Sequence, residues 1–321
     1  MKKILLIILF LSSFIFYSQE TDSLSIYKFY KVNEEVSYGY KKPRILDMVR
    51  YLPKDLIEFG KFTLQKENLK WDALVVGTTL VTIPFDQQIT DESNKVGHKI
   101  GGWGEDSHYK RVAGIEFLPT SVSSSVYYLG NGNTTLLLSG FFYTIGKINH
   151  NDYRALNTSN ELVEVLLSVG ATTQIIKRIT GRQSPTAATS PGGDWNPFPS
   201  FPAYQTHTPN YDAMPSGHMA TFMATLMVIA TNYPEYKWIK PVGYSLGGLL
   251  AFNMVSQQVH WASDYPLGIL IGYVIGKNIA NRRIVKKVAV TEGTPLKTTY
   301  KTSFNYNRIY NMSAIGATIT F

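Results

Sequence analysis

Two short segments of this 321-residue chain concentrate side chains able to move phosphoryl groups: Pro215-Ser216-Gly217-His218 and, further on, His260-Trp261-Ala262-Ser263-Asp264. Ser216 and Gly217 open an apolar run, and a helix start presents unpaired backbone N–H groups and a positive dipole end that together hold an anion. His260 and Asp264 are four residues apart. On one helical turn or a tight bend the carboxylate can accept the ring N–H and leave the other nitrogen's lone pair facing a substrate. That pairing makes a nucleophile, and His218 is placed to give a proton to the leaving oxygen. Each piece also has a plain structural explanation, with Ser216 as an N-cap, Gly217 as a turn residue and Asp264 as the cap of a helix beginning near Pro266. Capping alone, however, calls for no pair of histidines.

The elements between the two segments decide whether they meet. Met219 to Tyr233 is free of charge, Pro234 to Pro241 interrupts it with two prolines and a charged turn, and Val242 to Val259 is free of charge again. A helix of about 15 residues is about 23 Å long. One helix out and one of similar length back return the chain to its starting level, so the pattern predicts His218 and His260 at one pocket. Upstream, a helix is expected over Glu161 to Ile179, with Lys177 and Arg178 in its last turn and Gly181 as its C-cap. Arg182 follows just past the turn.

With these residues in order, the chain resembles the type 2 phosphatidic acid phosphatase and vanadium haloperoxidase superfamily. That family's blocks read K-x6-R-P, P-S-G-H and S-R-x5-H-x3-D. Their counterparts here are Lys177 to Pro185, Pro215 to His218, and Asn253-Met254 followed by His260 and Asp264. The resemblance covers roughly residues 70 to 283. It implies an all-α helical bundle and a metal-independent, cofactor-free phosphatase acting on a phosphate monoester or pyrophosphate, a lipid phosphate first among them. It implies His260 as nucleophile, His218 as general acid and Asp264 as the group that orients the nucleophile. Lys177, Arg182, Ser216 and Gly217 are the implied phosphate ligands, with no metal ligand among them. Ser184 and Met254 stand where the family has arginines, so two bidentate phosphate contacts are replaced. Two other readings follow from that departure: a binding or scaffold protein that kept the fold, and a vanadate-dependent haloperoxidase, which the missing arginines disfavour more strongly.

Residues 1–18 read as an export signal, with Lys2-Lys3 ahead of an apolar run from Ile4 to Tyr17 that is short for a membrane span. An exported protein, periplasmic or membrane-associated, is therefore expected. There is no cysteine, so a large core rather than disulfides must hold it. The net charge of +8 favours anionic partners, namely a phosphate substrate and an acidic membrane surface. The basic residues are scattered and no nucleic-acid motif is present, which argues against nucleic acid. The main apolar segments are short or carry polar residues such as Asn253 and Gln257, and the mean hydropathy is −0.07. Buried helices of a soluble or peripheral bundle fit this better than membrane spans.

The expected division is an N-terminal extension over 19–70, helix-compatible in Pro53 to Lys66, the phosphatase-like domain over 71–285 and a β tail over 286–321. Asp86 to Arg111, with His98 and His108, reads as a long polar loop. Ser184 to Tyr211 reads as a proline-rich, aromatic, non-helical loop that lids the pocket or covers the bundle, with His207 as a lesser pocket candidate. Thr298 to Phe304 and Ser313 to Phe321 alternate as two strands around Asn305 to Asn311.

Overall fold

The computed structural model describes residues 26–101, 103, 109–112, 115–289, 301–309 and 312–320. The export segment, His108, Thr298 to Tyr300 and Phe321 lie outside them. Two strands, β1 (Tyr27–Lys31) and β2 (Val36–Lys41), lead into the helices α1 (Asp47–Arg50), α2 (Leu52–Leu64), α3 (Leu69–Thr82) and α4 (Asp86–Ile100). After the ribbon β3 (Tyr109–Val112) and β4 (Ile115–Pro119) come α5 (Val122–Gly130), α6 (Gly132–Ile148) and the long α7 (Tyr153–Thr180). A short helix α8 (Phe201–Thr206) precedes the hairpin of α9 (Gly217–Asn232) and α10 (Ile239–Ser256), and α11 (Tyr265–Arg283) completes the bundle. The chain continues as β5 (Val285–Val288), β6 (Lys301–Ile309) and β7 (Met312–Thr320). The fold is thus an all-α bundle with small antiparallel sheets at its margins.

The core sits where α7, α9 and α11 meet. Leu162, Val165 and Val169 of α7 face Ala220, Ala224 and Val228 of α9, and Ile271, Ile275 and Ile279 of α11. Their i, i+3 and i, i+4 spacing lays one apolar stripe on each helix. Close approach of α11 to α9 depends on glycine. A Cβ at Gly268 would lie 2.6 Å from the Ser216 carbonyl, and one at Gly272 2.2 Å from that of Ala220. Any side chain there would force the two helices apart and move the N-terminus of α9.

Several expectations change. Asp86–Ile100 is a helix rather than part of a polar loop. Its sequence is polar because most of it faces water, but Asp86 sits in its first turn and His98 and Lys99 in its last, the charge order that suits the helix dipole. The helix expected to start at Glu161 begins at Tyr153, where Asp152 accepts from the backbone N–H of Arg154 and Ala155. Its first two turns are rich in Asn, Ser and Thr, which masks a helix whose polar side chains are buried. The proline-rich loop contains α8, with Pro202 in its first turn, where proline does no harm. The N-terminal segment is integrated with the bundle: β2 pairs antiparallel with both β1 and β5, and buried Tyr40 and Phe59 belong to the interior. β6 and β7 pair antiparallel, with strand continuing through Asn305 to Ile309.

Candidate active site

The site forms where the C-terminus of α7, the N-terminus of α9 and the turn between α10 and α11 converge. α7 ends at Gly181, whose φ of 55° is left-handed and whose N–H donates to the Lys177 carbonyl at 2.8 Å. A Cβ there would lie 1.8 Å from the Asn196 carbonyl oxygen, so only glycine permits the exit toward residues 182–197. The three segments are then tied by backbone groups. Thr180 Oγ1 donates to the Met214 carbonyl at 2.6 Å, the Ala213 N–H to the Arg182 carbonyl at 3.0 Å, and the Ser216 N–H to the Asp264 carbonyl at 3.0 Å.

Ser216 caps α9, its hydroxyl accepting from the Met219 N–H at 3.4 Å. Lys177 reaches this helix start, since a Cβ built on Gly217 would lie 3.9 Å from its Nζ. The same Nζ is 3.4 Å from Asp212 Oδ2, and the other Asp212 oxygen accepts from Ser184 Oγ at 3.2 Å. Lysine, helix dipole and free N–H groups therefore coincide, with Asp212 beside them.

The two histidines meet. Their ring centroids are 5.7 Å apart at 69°, and His218 also lies edge-on to Tyr127 at 4.7 Å. Gly130 makes this possible, because a Cβ there would fall 2.8 Å from His218 Cβ. Burial, then His260, then Lys177 push the His218 imidazole down to about 3, so it is neutral in the free protein at ordinary pH. His260 is 3 % exposed and forms the floor of the site. Its Nδ1 faces Asp264 Oδ2 at 3.6 Å, longer than a hydrogen bond, and has no hydrogen-bond partner among the described residues.

Arg182 is placed differently from its expected role. It is fully buried, with Nη1 donating to Asp264 at 2.7 Å and Ser263 at 2.6 Å, and Nη2 to Asp86 at 2.7 Å and the Gly192 carbonyl at 2.9 Å. Trp195 and Trp261 flank its guanidinium at 4.9 and 5.4 Å. A guanidinium so occupied holds the carboxylate behind His260 and has little left for phosphate. Asp86, which also accepts from the Ser263 N–H at 3.0 Å, is the residue that sequence reasoning missed. Its signal was an acidic residue at a helix start directly after Pro84-Phe85.

Met254, at one of the family arginine positions, is fully buried in an apolar cluster with Met219, Leu250 and Tyr265. Neighbouring Asn253 bonds to Ser123 instead, accepting from its hydroxyl at 2.6 Å. His207 is exposed and bonds to Thr206 at 2.9 Å, and Phe198 and Phe201 are exposed on the loop that carries Trp195.

The model of the PAP2 superfamily matches residues 160–284, whereas no curated protein and no solved structure matches the chain. Lys177, the Ser216 cap, both histidines and Asp264 all fall within that span, over which the chain is similar to the PAP2 superfamily.

Proposed function

We propose that the protein is a phosphatase acting on a phosphate monoester or pyrophosphate, a lipid phosphate in particular, through a phosphohistidine. The observation that carries the reading is the meeting of His218 and His260 at the α9 N-terminus beside Lys177. The phosphate sits on the Ser216-Gly217 helix start with Lys177 as its counter-ion. With Nδ1 turned to Asp264, the Nε2 lone pair of His260 attacks phosphorus. The P–O bond to the leaving group breaks and His218 gives that oxygen its proton. Water then attacks the phosphohistidine, His218 takes the water's proton, and the N–P bond breaks to release phosphate and free His260.

His218 must carry a proton in the first step, although it is neutral in the free protein. Burial is the largest cause of that depression, with His260 and Lys177 adding to it, and a phosphate dianion bound beside the ring favours its protonated form and so opposes them. Closure of the 3.6 Å gap between His260 and Asp264 belongs to the same step, and catalytic hydrogen bonds commonly tighten only with substrate bound.

A lipid substrate agrees with the apolar exterior. Trp71, Leu74, Leu80, Val81 and Phe85 are exposed along α3 and its end, and Phe141 and Trp238 elsewhere on the bundle. Among the described residues, no helix is long and apolar enough to cross a membrane. Exposed aromatic and aliphatic side chains on a chain of net charge +8 suit an acidic membrane surface.

The scaffold reading also has an observation in its favour. Met254 faces the core, and Ser184 is bonded to Asp212, so neither supplies positive charge to an anion. The deciding experiment measures phosphate release from alkyl, lipid and pyrophosphate substrates, with acid-quench trapping of labelled phosphohistidine. Turnover with an acid-labile phosphoenzyme that is lost in His260→Gln supports the phosphatase. Absence of turnover on every substrate, in protein that binds vanadate or not, gives the scaffold reading the lead.

A further inference from the structure

At the end of the bundle away from His260 lies a second, strongly cationic cavity. It measures about 350 Å³ and is lined by Lys41, Lys42, Arg44, Arg50, Arg282 and Arg283, with Asp47 as the acidic group of the lining. Asn160, beside this cavity, and Lys177 are 17 positions apart on α7, or about 25 Å along the helix axis at 1.5 Å per residue. The cavity is therefore separate from the histidine site.

Its walls are built rather than incidental. The segment that carries Lys42 and Arg44 is fastened to α7 by two buried amides: Asn157 Nδ2 donates to the Lys41 carbonyl at 2.7 Å, and Asn160 Nδ2 to the Arg44 carbonyl at 3.1 Å. Arg283 donates to Asn160 Oδ1 at 2.6 Å, so one amide orients both a wall and a cation. Arg282 is fixed from behind by Glu164 at 2.8 Å and Glu58 at 2.9 Å, and by Asp55. Glu164 also holds Arg283.

Those contacts occupy the two inner arginines and leave the outer four cations. Among the described residues, Lys41, Lys42, Arg44 and Arg50 make no ion pair with any carboxylate. Asp47 is turned to the backbone, its Oδ2 accepting from the Arg44 N–H at 3.0 Å, and its single negative charge faces four such cations. Lys41 Nζ lies over the Tyr27 ring at 4.8 Å, held toward the cavity that Tyr27 also lines. Gathering like charges around one hollow is unfavourable unless an anion joins them. Arginine forks beside lysines match a phosphoryl group, which accepts several charge-assisted hydrogen bonds at once.

We propose that this cavity is a second phosphoryl-binding site, for a diphosphate or a phosphorylated headgroup, independent of the histidine site. Its test uses the full chain and the triple variant Lys42→Ala/Arg44→Ala/Arg50→Ala, whose removed side chains are exposed and unpaired, so the fold is expected to hold by circular dichroism and thermal melting. Methylenediphosphonate, which resists hydrolysis, is titrated by calorimetry, and vesicles of phosphatidylcholine with and without phosphatidic acid are tested by flotation. The wild type is expected to bind one more equivalent of methylenediphosphonate than the triple variant, or to bind that equivalent at least tenfold more tightly, with His260→Gln retaining it. Should only the phosphatidic acid vesicles distinguish wild type from variant, the phosphoryl group is that of a lipid. Identical diphosphonate binding and identical flotation for a folded triple variant overturn the proposal.

Discussion

Asp212 is the most informative residue to perturb, because it occupies the lysine that a phosphate needs. Its Oδ2 is 3.4 Å from Lys177 Nζ, and its side chain is 27 % exposed. Two unit charges at that distance attract by about 1.2 kcal/mol in bulk water and about 5 kcal/mol at an effective dielectric of about 20. Solvent at the carboxylate places the pair toward the low end, at about 1–2 kcal/mol. A phosphate arriving on the α9 N-terminus must displace or share this contact, and it also meets the repulsion of the carboxylate. Asp212→Asn removes both costs and keeps an acceptor for Ser184. The variant is therefore expected to bind phosphate or vanadate about 5- to 30-fold more tightly. The check is the vanadate inhibition constant, or equilibrium dialysis of labelled phosphate where turnover is absent. If the Asp212→Asn protein keeps its fold and binds the anion no better, or worse, Asp212 orients Lys177 rather than competing for it, and the reasoning fails.

Four further outcomes are expected. Arg182→Lys should destabilise the fold by about 3–5 kcal/mol in denaturant unfolding, since a lysine cannot span Asp86 and Asp264 together and leaves buried charge uncompensated. Met254→Arg, which would restore a family residue, should cost a similar amount, because the position lies inside an apolar cluster. His218→Gln should slow hydrolysis of alkyl phosphates far more than of activated aryl phosphates, measured as the ratio of kcat/KM values, because aryl groups leave without a proton. Burial raises Glu161 to about 7 and Glu164 to about 8, above their unfolded values near 4.3. The folded state therefore holds these protons more tightly, and their contribution to stability is full below about pH 4 and is lost as pH rises through 7 to 8. Melting temperatures across pH 5 to 9 should fall more steeply in wild type than in Glu161→Gln/Glu164→Gln, and equal slopes would exclude the two carboxyls as the cause.

The elements legible in the sequence are those whose pattern is apolar. The charge-free runs around the proline-containing turn became α9 and α10, and the alternation near the C-terminus became β6 and β7. What stayed hidden has polar faces turned inward. α4 reads as loop because its buried side carries Asp86 and Thr90, and the first turns of α7 read as non-helical because buried Asn157 and Asn160 bond to other segments. Periodicity analysis counts only apolar side chains, and a helix that buries satisfied polar groups gives it no signal. The pairing of β2 with β5 was equally silent, since it joins segments from opposite ends of the chain.

The site shows the same boundary at finer scale. Spacing brought His218, His260, Asp264 and the Ser216 cap into one neighbourhood, because each lies next to a helix end whose position the hairpin fixes, and the family resemblance added Lys177. Spacing could not assign Arg182, since an arginine near a phosphate block and an arginine holding a catalytic carboxylate look alike until its partners are known. Asp86 is the partner that decides it: with two buried carboxylates, one serine and one carbonyl around it, the guanidinium is committed to rigidity behind His260. That commitment accounts for how a site with a single lysine at the helix start remains organised. The Arg182 charge is spent on holding the carboxylate behind His260. Anion affinity then rests on Lys177, the α9 dipole and the outcome of their contest with Asp212.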